Sequence, residues 1–109
     1  MQQSRPSWQA DPCPSWCTGD HAEQDHPDDR VHRGRALTVP VVARRTWFEG
    51  GGIRRSAEAT EFEVAVSRVD GESETWLYVG AGPAVSIEVT TESAERLARA
   101  VSEALVRSR

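Results

Sequence analysis

Both cysteines and all three histidines of this 109-residue chain fall between positions 13 and 32. That cluster limits the fold more than any other feature. It reads Cys13-Pro14-Ser15-Trp16-Cys17-Thr18-Gly19-Asp20-His21, runs on through His26-Pro27, and ends at His32. Residues 11–34 also hold three prolines, two glycines and several acids, a composition that can neither sustain a regular helix nor bury a core. A metal ion is the natural organiser of such a segment.

The spacing is C-x3-C-x3-H-x10-H. Pro14 suits the first position of a single helical turn and Gly19 its end. Such a turn sets Cys13 and Cys17 on one face, where both sulfurs can reach Zn²⁺ at about 2.3 Å. His21 continues the four-residue step. His32 returns after a loop as the favoured fourth ligand; His26, close behind His21 and restricted by Pro27, is the alternative. Two thiolates and two neutral imidazoles cancel the charge of Zn²⁺, which lets the site be partly buried. The expectation is a structural zinc knuckle of Cys13, Cys17, His21 and His32, with Trp16 anchoring it to the rest of the fold.

Two rivals follow from the same residues. With only Cys13, Cys17 and His21 bound, a water could complete the sphere, and Asp20, Asp25 or Asp28 could serve as base, giving a zinc hydrolase. So short a segment offers no walls for a pocket, which disfavours that reading. A thioredoxin-like redox pair needs C-x-x-C, and the spacing here is C-x3-C. Neither Gly50-Gly51-Gly52 nor Gly80-Ala81-Gly82 has the Lys and Ser/Thr of a phosphate loop.

No signal-peptide pattern and no run able to cross a bilayer is visible. The expected setting is therefore cytoplasmic and reducing, without membrane association, where a disulfide between the two thiols is disfavoured. The apolar fraction is 38%, below the roughly 45–50% usual for globular domains. The net charge of −4 conceals segregation. Residues 1–29 carry one Arg and six acids, residues 30–55 seven Arg and one acid, and residues 56–109 five Arg and ten acids.

Beyond the knuckle, alternation sets in. Leu37, Val39, Val41 and Ala43 define one strand, at an edge because Pro40 cannot donate. Residues 49–60 read as a mobile loop. Phe62, Val64 and Val66 mark a second strand over 61–69, and Asp70-Gly71 turns a hairpin. Trp76 to Val79 form a third strand, and Val85, Ile87 and Val89 a fourth. Thr91 caps a helix whose stripe is Ala94, Leu97, Ala98, Val101 and Leu105. The predicted fold is α+β: a four-stranded antiparallel meander with one C-terminal helix on one face. The domain plan is a disordered tail over 1–10, the knuckle over 11–34, and sheet plus helix over 35–109.

The run CPSWC, the His four residues on, His32-Arg33-Gly34 and the ending TTESAERLARAVSEAL resemble the DUF6907-type proteins, small actinobacterial proteins of unknown function. The likeness spans most of the chain from Cys13 to Val106. It implies His21 and His32 as partners of Cys13 and Cys17, and implies no activity.

The favoured role is a small non-enzymatic, zinc-stabilised module that binds a protein partner. Its surface would be the sheet face bared by the helix, carrying either Trp76 and Tyr78 or Leu77 and Val79. Association of two sheets into a homodimer is one way to cover it. The runner-up is a nucleic-acid-binding accessory protein using Arg44, Arg45, Arg54 and Arg55 on phosphates, with Trp47 to stack. Acidic flanks oppose it. A zinc hydrolase stands third.

Overall fold

The computed structural model describes residues 9–10, 12–18 and 30–109. Residues 1–8 of the expected tail, His21, His26 and the acids Asp20, Asp25 and Asp28 lie outside the described residues.

Five strands, not four, form one antiparallel sheet before a C-terminal helix: β1 (Val31–Arg33), β2 (Leu37–Glu49), β3 (Gly52–Val69), β4 (Trp76–Gly80), β5 (Ser86–Thr90) and α1 (Thr91–Arg107). From β2 onward each strand pairs with the next, the expected meander. The additional strand, β1, pairs with β3 through Val31↔Val69, His32↔Arg68 and Arg33↔Ser67. Three residues among polar neighbours gave too short an alternation to read as a strand. β1 and β2 follow the same edge of β3. Between Arg33↔Ser67 and Leu37↔Val64 the register slips by one residue, the mark of a bulge near Gly34 to Ala36. The slip restores the face: His32 before it and Leu37 after it lie on the same side.

The expected loop at 49–60 is a second correction. Gly50 (φ 59°) and Gly51 (φ 78°) occupy successive left-handed positions, the requirement of a two-residue primed hairpin. The turn closes at Glu49↔Gly52, and pairing is continuous from there to Leu37↔Val64. Arg54, Arg55, Ala57 and Glu58 have little strand preference of their own, so the backbone ladder supplies what the side chains lack. β4 pairs only with residues 63–67 of β3. The rest of the β2–β3 hairpin therefore projects beyond the sheet as a two-stranded arm. An isolated ribbon of this kind is marginally stable in water.

Register sorts the side chains by face. Leu37, Val39, Val41, Phe62, Val64, Val66, Leu77, Val79, Ile87 and Val89 share one side. Opposite lie Trp76, Tyr78, Ala65, Glu63, Ser67 and Glu88, a more polar set.

The helix begins one residue earlier than expected. Thr90, not Thr91, is the N-cap, and its Oγ1 accepts from the Ser93 backbone N–H at 3.1 Å. More consequential, the predicted docking of α1 onto the sheet is confined to the start of the helix. Only Thr91, Ser93 and Ala94 are half-buried, and every residue from Glu95 onward is exposed. Leu97 keeps 46% of its surface in solvent, and Val101 and Leu105 keep 56% each. Among the described residues no apolar side chain is buried; the buried polar ones are Gln9 and His32. The radius of gyration, 18.2 Å, exceeds the about 13 Å of a compact domain of this length.

Candidate metal centre

The candidate site lies at the end of the sheet where β1 meets the Cys segment. Cys13 and Cys17 are joined by a tight turn, not the predicted helical one: the Cys17 N–H donates to the Pro14 carbonyl at 3.0 Å, an i to i+3 closure. Cys17 then bridges to Gly34 in antiparallel fashion, and the Thr18 N–H donates to the Arg33 carbonyl at 2.9 Å. The Cys loop is thereby stitched to β1, the strand that carries His32.

Trp16 closes the contact. A Cβ at Gly34 would lie 3.5 Å from the Trp16 ring and 2.7 Å from Val66 Cγ2. The clash is with Val66, while the indole lies at ordinary contact distance over Gly34, which gives Trp16 the anchoring position expected of it.

These elements bring Cys13, Cys17 and His32 together. One donor atom from each lies within 4.8 Å of the others, close enough to bind a metal ion. Tetrahedral ligands at 2.0–2.3 Å from zinc stand roughly 3.3–3.8 Å apart, so small side-chain adjustments close the three onto one ion. Cys13 is exposed, Cys17 half-buried and His32 fully buried. His21, the remaining predicted ligand, lies outside the described residues, as does its alternative His26.

The orientation of His32 is set from behind. Its Nε2 is 2.9 Å from Asp70 Oδ1, and the Asp70 side chain is only 4% exposed. A carboxylate only accepts, so the imidazole proton belongs on Nε2 and the lone pair on Nδ1, the nitrogen then suited to a metal. Asp70 Oδ2 accepts from the Ala10 N–H at 2.6 Å, while the Asp70 N–H donates to the Arg30 carbonyl at 2.8 Å. Gln9 Nε2 donates to Cys13 Sγ at 3.4 Å, the kind of contact that stabilises a thiolate. Gln9 and Ala10, the end of the expected tail, thus take part in the site.

Sequence reasoning missed Asp70 and Gln9. Asp70 reads as a turn residue, a role it keeps: the Glu72 N–H donates to the Val69 carbonyl at 3.0 Å and Gly71 has φ 84°. The pairing of 31–33 with 67–69 carries Asp70 to His32, and only recognition of that short strand could have revealed it.

The four arginines singled out earlier lie elsewhere, on the outer half of the arm. Arg45 and Arg54 take one face, Arg44 and Arg55 the other. The Arg45 guanidinium sits 5.9 Å from the centroid of the Trp47 ring, and Trp47 Nε1 donates to Glu49 Oε2 at 3.1 Å.

The family model for DUF6907, a domain of unknown function, matches residues 2–109. The chain belongs to this family. Comparison with curated proteins and with solved structures returns no match. The DUF6907 match takes in the Cys segment, the sheet and the helix alike.

Proposed function

We propose that this DUF6907 protein is a non-enzymatic interaction module whose Cys segment is fastened to its sheet by a structural Zn²⁺. The observation that carries the metal half is the convergence of two sulfurs and a fully buried imidazole, the last held by a buried carboxylate. Soft thiolates with imidazole favour zinc over the hard cations that prefer oxygen. Cys13, Cys17 and His32 would hold the ion, with His21 as the fourth ligand. The ion would supply crosslinking across a segment that has no core of its own. The partner-binding half is supported by the helix stripe, which lies largely open to solvent, and by an apolar sheet face that is half-buried, with Leu37 and Ile87 its most exposed members.

Titrating the apo chain with Co²⁺ tests the metal half. A visible spectrum of tetrahedral, thiolate-bound cobalt, displaced by one equivalent of Zn²⁺, is the expected result. A pale octahedral spectrum, without thiolate-to-metal charge transfer, would remove the reading.

A second reading rests on the arm. Two-stranded ribbons enter nucleic-acid grooves, and this one carries Arg44, Arg45, Arg54 and Arg55 on its outer half. Trp47, with Arg45 already over its ring, is less open to base stacking. Binding to duplex DNA at low salt, lost when all four arginines become Ala, would establish that alternative; no binding at low salt would end it.

A further inference from the structure

The chain carries two complementary apolar surfaces that meet within it only at the start of α1. One is the α1 stripe, where Leu97, Val101 and Leu105 are each about half exposed or more. The other is the sheet face of Phe62, Val64, Leu77, Val79, Ile87 and Val89, of which Ile87 is 54% exposed and the other five are half-buried. A helix stripe and a sheet face are the two halves of an ordinary α/β core. Here they otherwise stand apart in one copy. We infer that a second copy of this chain completes the core, the helix of each subunit lying on the sheet face of the other. This deepens the interaction-module reading and rests on it, naming the partner.

Three further observations favour a second copy over an unrelated protein. The first is size. The chain exposes 8623 Å², whereas a folded monomer of 12.0 kDa exposes about 6,000 Å². The excess, about 2,600 Å² per chain, comes to about 5,200 Å² for a pair, at the upper end of what obligate homodimers bury. The second is charge. Residues 44–55 at the arm tip hold four Arg and one Glu, and residues 72–95 hold five acids and no base. A two-fold arrangement sets each basic arm against the acidic stretch of the other copy, and each pairing occurs twice. The third is the missing core: among the described residues no apolar side chain is buried. A unit without a core needs its partner continuously, which is the behaviour of an obligate oligomer.

Light scattering of the full chain over a dilution series, with zinc measured across the same peak, tests this. The expected mass is twice the 12.0 kDa of one chain. The double variant Leu97→Asp, Val101→Asp should associate more than about 100-fold more weakly, because two charges would enter an apolar seam. As that variant could fail to fold, isotope-filtered NMR of mixed labelled and unlabelled wild-type copies gives an independent reading. Contacts from the Leu97 and Val101 methyls to those of Val79 and Val89 should appear between copies. A dimer with these contacts supports the inference. A dimer without zinc supports it too, while removing the metal half of the proposed function. A monomer whose helix stripe contacts its own sheet overturns the inference, as does a monomer that associates only with added DNA or another protein. So does a dimer unaffected by a folded Leu97→Asp, Val101→Asp variant.

Discussion

Around His32 the chain is dense in specific polar contacts: a buried imidazole on a buried carboxylate, a backbone N–H on the second carboxylate oxygen, and a Cys loop stitched to β1. Along α1 and the arm the composition is the reverse, apolar and aromatic residues with much of their surface in solvent, Phe48 at 81% and Val42 at 77%. The first region gives its buried imidazole and carboxylate partners from the chain itself. The second has the residues of a core and no core. A fold of this size can be ordered by ligands at one end and still depend on another chain at the other.

The contrast can be broken most severely at the metal end. Cys17→Ser removes one of the two sulfurs, and zinc-finger peptides draw about 10–16 kcal/mol from zinc binding near neutral pH. Zinc retained after gel filtration should fall from one per chain to none, and hydrogen exchange over 12–18 should rise to that of an open segment. Leu97→Asp comes next. On a stripe docked within one chain it would be an unfolding mutation; the exposed helix moves its effect to association, so thermal denaturation should become lower and more concentration-dependent. A melting curve identical to wild type at every concentration would remove the stripe from the account.

Asp70→Asn sharpens the other side. It keeps the size of the side chain but weakens the acceptor that orients His32, and losses of such outer partners cost about 10–100-fold in metal affinity. Competition with a chromophoric chelator measures it; unchanged affinity would make Asp70 merely a turn residue. Gly34→Ala places a Cβ 2.7 Å from Val66 Cγ2, and overpacking of this sort costs about 1–3 kcal/mol. The smallest effect belongs to Thr90→Ala, which removes the N-cap acceptor for about 1 kcal/mol, read from the helical circular-dichroism signal on heating.

Much of the fold was legible because its signals are periodic. The alternation at Phe62, Val64 and Val66, the apolar run from Trp76 to Val79 and the spacing of the α1 stripe each fix an element from its own residues. What escaped depends on pairing between distant segments. β1 is three residues long and exists because Val69, Arg68 and Ser67 offer it a ladder. The first half of β3 has the composition of a loop and is held by β2. In the candidate site, Cys13, Cys17 and His32 were readable from residue chemistry. Asp70 was not, since it lies 38 residues from His32 in sequence and has a sufficient local reason to exist as a turn former. The largely undocked helix escaped for a related reason: periodicity shows that a stripe must be covered, and does not say by which chain.

The most direct measurement is the metal content of untagged protein purified with zinc available, by elemental analysis, with thiols titrated before and after chelation. The expected result is one zinc per chain, with Cys13 and Cys17 unreactive until the metal is removed. Metal-free protein with two freely reactive thiols would contradict the knuckle, and leave His32 and Asp70 as a buried hydrogen-bonded pair with no ion to serve.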